Sequence, residues 1–122
     1  RDGDYANTLD IKKGGTAGIV QMGRLFALAS GSPVVDTRQR LREAAGDAVS
    51  RQGAQELVDA FDFLRALSFQ HQARQLREGV PPDYHIDPKN LGRLERERLR
   101  DAFRAIKSMQ NALATKYPVR SI

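Results

Sequence analysis

The side chains best equipped for chemistry in this chain fall in two neighbouring stretches, 68–75 and 83–87. Together they offer the imidazoles of His71 and His85, the amides of Gln72 and Gln75, and the carboxyls of Asp83 and Asp87. His71 with His85 and either carboxyl could ligate a metal through nitrogen and oxygen. No H-x-x-x-H or H-E-x-x-H pair falls on one helix face, so the expectation is that no metal is bound. Ser68 lies three residues before His71, but its neighbours are apolar and it reads as core rather than as a nucleophile. The glycine-rich run Gly14-Gly15-Thr16-Ala17-Gly18 lacks the lysine-serine/threonine ending of a phosphate-cradling loop. Nucleotidyl transfer would need paired carboxylates holding magnesium. No D-x-D occurs on a predicted strand, and Asp2-Gly3-Asp4 stands in a stretch with no predicted element. By its residues alone the chain reads as non-catalytic.

The element that must position the polar cluster is one long helix. At about 100° per residue, Leu57, Val58, Ala60, Phe61, Phe63, Leu64, Leu67, Phe69 and Leu76 cover well over half its circumference. Asp59, Asp62, Gln70 and Arg77 share the rest. A helix apolar that far around sits inside a bundle. His71, Gln72 and Gln75, with Arg65 further up, fall on the same apolar arc. An inward polar group left unpaired costs about 1–3 kcal/mol, so partners are expected for this polar end.

The other elements follow from their stop signals. A first helix is predicted over Ala17–Ser30, stopped by Gly31 with Pro33 beyond. Arg24 lies on its apolar surface, between Val20 and Leu28, and either snorkels or reaches an acid such as Asp10. A short second helix is predicted over 37–45, capped by Asp36 or Thr37 and stopped by Gly46. Its Arg38, Arg40 and Arg42 read as solvated, with Arg40 placed to face a partner. Ser50 caps the central helix and Gly79 ends it. The proline-rich 80–88 segment cannot be helical. Asp87-Pro88 reads as a cap with a short turn over 88–91, and a last helix follows over Arg93–Lys116. Its stripe is Leu99, Ala102, Phe103, Ile106, Met109, Leu113 and Tyr117, with Gln110 inside it as a structural hydrogen-bonder or a ligand contact.

These elements predict an all-α fold: an antiparallel up-and-down four-helix bundle with one short helix and a proline-rich loop between the last two long helices. Residues 17–117 form the bundle, 118–122 a tail, and 1–16 a linker or the edge of a preceding domain. Within 1–16, Thr8 to Lys12 alternates like a strand, which cannot stand alone. If the last two helices are antiparallel, His71, Gln72 and Gln75 lie beside the 83–87 loop, in what is expected to be a concave, loop-covered pocket.

Composition narrows the function classes. The 122 residues suffice for one core without staples, and the absence of cysteine removes disulfides and thiolate chemistry and fits a cytoplasmic location. No stretch is long and apolar enough to span a membrane. A start at Arg1 without methionine leads to the expectation of a piece of a longer protein. The net charge is +5, from 20 basic and 15 acidic residues. The signs interleave, as in Arg93-Leu94-Glu95-Arg96-Glu97-Arg98, which is the pattern of a solvated helix face. With tryptophan absent and no aromatic interleaving for base stacking, nucleic acid is the disfavoured partner.

Several motifs occur in order along the chain: Leu9-Asp10-Ile11-Lys12-Lys13-Gly14, Arg24-Leu25-Phe26-Ala27-Leu28 with Gly31, and Thr37-Arg38-Gln39-Arg40-Leu41. They continue with Phe69-Gln70-His71-Gln72, Pro82-Asp83, Ile86-Asp87-Pro88 and Ile106-Lys107-Ser108-Met109-Gln110. This series resembles the putative nucleotidyltransferase substrate-binding domain, over about residues 9–115. Tyr84 stands where the family pattern has asparagine, and Gly18 where it has proline. The family's members are C-terminal helical modules of bacterial signal-transduction proteins with cyclic-nucleotide-binding, CBS and PII-uridylyltransferase-like nucleotidyltransferase domains. The resemblance implies that the catalytic carboxylates, with magnesium and a nucleoside triphosphate, belong to a preceding nucleotidyltransferase domain in the same chain, and that no cofactor is held here. Matching its motifs are Asp10, Lys12, Arg24, Arg40, His71, Gln72, Asp83, Asp87 and Gln110. All but Asp10 are taken as candidate substrate contacts, with Lys12, Arg24 and Arg40 meeting a phosphate or carboxylate. The competing expectation is a structural or interaction module, docking other domains or a second copy, whose polar residues merely satisfy one another.

Overall fold

The structure is a computed structural model that describes residues 7–116. The Asp2-Gly3-Asp4 stretch, Tyr117 and the 118–122 tail lie outside the described residues. Within them the chain is mostly helical: α1 (Ala17–Ser30), α2 (Thr37–Ala44), α3 (Arg51–Arg77) and α4 (Arg93–Lys116). Two short strands, β1 (Leu9–Asp10) and β2 (His85–Ile86), pair antiparallel, with Leu9 opposite Ile86 and Asp10 opposite His85.

The helix ends obey local chemistry. Gly31, at φ 71°, takes the left-handed turn that closes α1. Asp36 caps α2 by accepting from the Gln39 amide, and Ser50 caps α3 by accepting from Gly53. Gly79, at φ 73°, turns the chain after α3. Asp87 accepts from the Lys89 amide and starts a single 3-10 turn, Pro88–Asn90.

The core is centred on α3, which buries Leu57, Val58, Ala60, Phe61, Phe63, Leu64, Leu67 and Ser68. Ser68 donates to the Leu64 carbonyl of its own helix, as a core serine must. α3 and α4 run side by side in opposite directions: Arg98 stacks on Phe63 at one end, and Gly53 meets Met109 at the other.

Two expectations about this architecture need correcting. The 31–36 connection does not simply reverse the chain but runs back along α2. Ser32 donates to Glu43, Val34 accepts from Arg40, and Asp36 caps at Gln39. α2 therefore restarts beside Gly23, which meets Thr37 and Arg40, and advances in the same general sense as α1. About six extended residues reach roughly 20 Å, enough to return over the whole of an eight-residue helix, so strict up-and-down alternation fails at this step. Arg38, read as solvated, sets its Nε 3.2 Å from Asp62 Oδ1 and ties α2 to α3.

The second correction concerns residues 1–16. From Leu9 onward they are no linker: Ile11 is fully buried, and Lys12–Thr16 forms one π-helical turn that runs into α1 and packs on α1, α3 and α4. The short strand finds its partner in the 80–88 loop of the same chain. Burying Ile11 is worth about 1.5–3 kcal/mol, which explains why so short a ribbon persists. Conversely, Phe69 and Leu76 are 76% and 65% exposed, and Leu28 is exposed too. α2 is too short to follow α3 that far, so the apolar arc of α3 outruns its cover.

Candidate functional site

The polar end of α3 meets the 80–88 loop, as the inward-facing residues require. His71 Nε2 lies 2.8 Å from Asp83 Oδ1, and Gln72 donates to the Asp83 carbonyl at 2.9 Å. The Asp83 amide donates to Gln75 Oε1 at 2.8 Å, and the His85 amide to Asp83 Oδ1 at 3.0 Å. One residue of the loop is thus held through its carboxylate, its carbonyl and its amide by three successive inward positions of α3.

The clasp then passes its order to the N-terminal ribbon. Fixing Asp83 and His85 aligns Tyr84, whose carbonyl accepts from the Ile11 amide at 3.0 Å. Asp10 Oδ1 accepts from the amides of Lys12 and Lys13, both at 2.9 Å, and its other oxygen lies 3.9 Å from His85 Nε2. Thr8 Oγ1 lies 3.4 Å from His85 Nδ1. Lys12 places its ammonium 4.9 Å from the centre of the Tyr84 ring. Lys12 and Lys13 are both exposed at the rim of this ledge.

Burial pushes the Asp83 carboxyl up, but the hydrogen bond of His71, the His85 amide, Gln75 and the charge of His71 outweigh that. The net result holds it below the ordinary value of 3.8. A carboxylate so satisfied is a fastener rather than a proton carrier. Among the described residues no group of three or more histidines and carboxylates could hold a metal ion.

Among the described residues three grooves lie away from this end, two along α3 and α4 and one between α1 and α2. Where a pocket was expected, His71, Gln72 and Gln75 are each bonded to Asp83 of the loop.

The candidate residues divide into two sets. His71, Gln72 and Asp83 form the clasp, and Lys12 stands on the ribbon it supports. Asp87 is four residues beyond Asp83 and caps the 3-10 turn. Arg24, Arg40 and Gln110 share no hydrogen bond or ion pair with the clasp. Arg24 is exposed on α1 and does not reach Asp10, whose oxygens are engaged with Lys12, Lys13 and His85. Arg40 gives its Nε to the Val34 carbonyl at 2.7 Å and lays its stem on Gly23, so that nitrogen holds the α1–α2 connection. Gln110 is exposed on α4 and sits over Gly18. Lys13, Tyr84 and His85 belong to the ledge and were not singled out from the sequence as substrate contacts. The usable signal was the alternation at residues 8–12 together with a non-helical Tyr84-His85-Ile86 bounded by Pro82 and Pro88.

Compared with known proteins, residues 1–117 match the family model described as the putative nucleotidyltransferase substrate binding domain. No curated protein and no solved structure matches the chain. Among the described residues no helix is long and apolar enough to cross a membrane.

Proposed function

Starting from the fact that the chain belongs to the putative nucleotidyltransferase substrate binding domain family, we propose that it is a non-catalytic helical module that presents a substrate to a nucleotidyltransferase domain. In this reading the partner domain precedes it in the same chain and holds the catalytic carboxylates, magnesium and the nucleoside triphosphate. The whole protein then serves bacterial signal transduction in the cytoplasm, with cyclic-nucleotide-binding and CBS domains upstream.

The observation that carries the proposal is the ledge. Three separated pieces of sequence, residues 8–13, 71–75 and 83–86, are locked together by hydrogen bonds so that two lysines stand exposed on a rigid support. Exposed ammonium groups on fixed backbone suit a phosphate or carboxylate of an incoming substrate. In this assignment Lys12 contacts the substrate, with Lys13 beside it, while His71, Gln72, Asp83 and Asp87 keep the ledge in shape. Arg24 serves as a separate anion contact on α1. Arg40 and Gln110 act by positioning their neighbours.

Thermal shift with nucleoside triphosphates and magnesium tests this on the 122-residue chain. The expected result is a stabilisation that Lys12→Ala with Lys13→Ala abolishes while the unliganded melting temperature stays within a few degrees. A shift that survives this pair but is lost in Arg24→Ala moves the contact to α1. No shift with any nucleotide refutes nucleotide binding by the module itself. A second reading is favoured by the closed hydrogen bonding of the clasp: these polar residues serve architecture, and the module works by docking.

A further inference from the structure

Independently of the ledge, a groove follows the seam between α3 and α4. One part, of about 470 Å³, reaches the Phe63–Arg98 level, and another, of about 410 Å³, reaches Lys116. Both are lined by Glu56, Ala105 and Ser108, so they form one channel. Along α4, the stretch from Arg98 to Lys116 spans about 27 Å at roughly 1.5 Å per residue.

The two walls have opposite signs. The α3 wall contributes Glu56 and Asp59 and no cation, whereas the α4 wall contributes Arg98, Arg104 and Lys116 against Asp101. Glu56 and Asp59 are not neutralised by Arg98 or Arg104 of the same chain. Glu56 accepts from the amide of Gln52 and Asp59 from that of Gln55. Arg98 lies over the Phe63 ring at 4.4 Å, and Arg104 pairs with Asp101 one turn away on its own helix. Neither acid of α3 is paired with Arg98 or Arg104.

An occupant of this channel must lay positive charge over α3 and negative charge over α4. A second copy of the chain does so under one symmetry. A two-fold axis parallel to the groove sets each α3 above the partner's α4 at the same height, so Glu56 of one copy faces Arg104 of the other, while Asp59 comes level with Ala102, beside Asp101 and between Arg98 and Arg104. A two-fold in the contact plane but across the helices would stack acid on acid. We propose that the α3–α4 face is a homodimer interface built on this parallel two-fold. The small side chains of Ala105 and Ser108 let the facing helices approach at the usual interaxial distance of about 8–10 Å. One groove's width of contact places the interface at the small end of the stable range. The dimer is therefore concentration-dependent and weakened by salt.

Analytical ultracentrifugation of the 122-residue chain, from micromolar to near-millimolar concentration at low and high salt, measures the association. Glu56→Arg and Arg104→Glu each place like charges across the interface, and each is expected to weaken self-association by at least about tenfold. Both positions are exposed, and circular dichroism checks that the variants fold. Mixing the two variants restores opposite charges at both cross-contacts, so the mixture is expected to dimerise where neither variant does alone. A wild-type chain that is monomeric at every concentration overturns the proposal and leaves the groove to a helix of another protein. A dimer unaffected by either charge reversal, but lost in Phe69→Ser with Leu76→Ser, overturns it in favour of the exposed end of α3.

Discussion

Replacing Asp83 by alanine isolates the fastener that holds the ledge. The substitution removes the acceptor of the His71 bond at 2.8 Å and of the His85 amide bond at 3.0 Å. It spares the two bonds made by the Asp83 backbone to Gln72 and Gln75. A net hydrogen bond is worth about 0.5–1.5 kcal/mol, or more when charged. The Asp83 side chain is 26% exposed, so the two lost bonds together are set at about 2 kcal/mol rather than the upper limit. With a urea slope near 1.5 kcal/mol per molar, that loss moves the unfolding midpoint by roughly 1.3 M. Hydrogen exchange locates the damage. The Ile11 amide donates to the Tyr84 carbonyl, and if the clasp pins that carbonyl, opening eased by about 2 kcal/mol speeds its exchange roughly 30-fold. His71→Ala should produce a similar but smaller change, and the double variant should fall short of the sum because the two share one bond. A lowered midpoint with Ile11 exchange raised less than about threefold would refute the reasoning. The clasp would then stabilise α3 alone and the ribbon would be held by the burial of Ile11.

Other consequences are more local. Because folding holds the Asp83 carboxyl below 3.8, its ionised form contributes stability that is complete above about pH 4 and is lost as pH falls through the native value. Urea melts of the wild-type chain should therefore weaken more steeply between about pH 4 and pH 2 than those of Asp83→Asn, and parallel curves would contradict this. A methyl added at Gly15 would lie 3.0 Å from Leu64 Cδ1 in the core, whereas at Gly14 the nearest contact is Phe103 at 3.8 Å. Gly15→Ala is expected to cost about 1–3 kcal/mol by overpacking, and Gly14→Ala within about 0.5 kcal/mol, as read from thermal melts. Arg40→Ala frees the Val34 carbonyl and uncovers Gly23. A loss of about 1–2 kcal/mol is expected, with Arg40→Lys recovering little because the bond comes from Nε. Full recovery in the lysine variant would show that packing of the stem on Gly23, not the bond, is what matters.

Local signals made most of the helical framework legible. α1 and α4 occupy the predicted residues, and the ends of α2 and α3 lie within two residues of their predicted stops, since caps at Asp36 and Ser50 and left-handed glycines at 31 and 79 depend only on nearby chain. What could not be read was how far a connection travels. Six residues between α1 and α2 are compatible with a tight reversal or with a full return along α2. Only the tertiary bonds of Ser32 and Arg40 select the return. The β1–β2 pairing was hidden for a related reason: the alternation at residues 8–12 marks one strand, but its partner is only two residues long and lies far away in sequence.

The polar turns of α3 show how far an argument from inward-facing polar residues can go. Desolvation demands partners for His71, Gln72 and Gln75, and antiparallel α3 and α4 put the 80–88 loop within reach, so the neighbour was predictable. Whether a cavity remains between them depends on how the partners divide the hydrogen bonds. Here a single residue, Asp83, supplies a carboxylate, a carbonyl and an amide, and three side chains of α3 take one each. These bonds commit His71 Nε2, Gln72 Nε2 and Gln75 Oε1 to the loop. Under the proposed function the exposed groups beside the clasp are Lys12 and Lys13, and a substrate-binding role for this end of the molecule is therefore tested first at those two lysines.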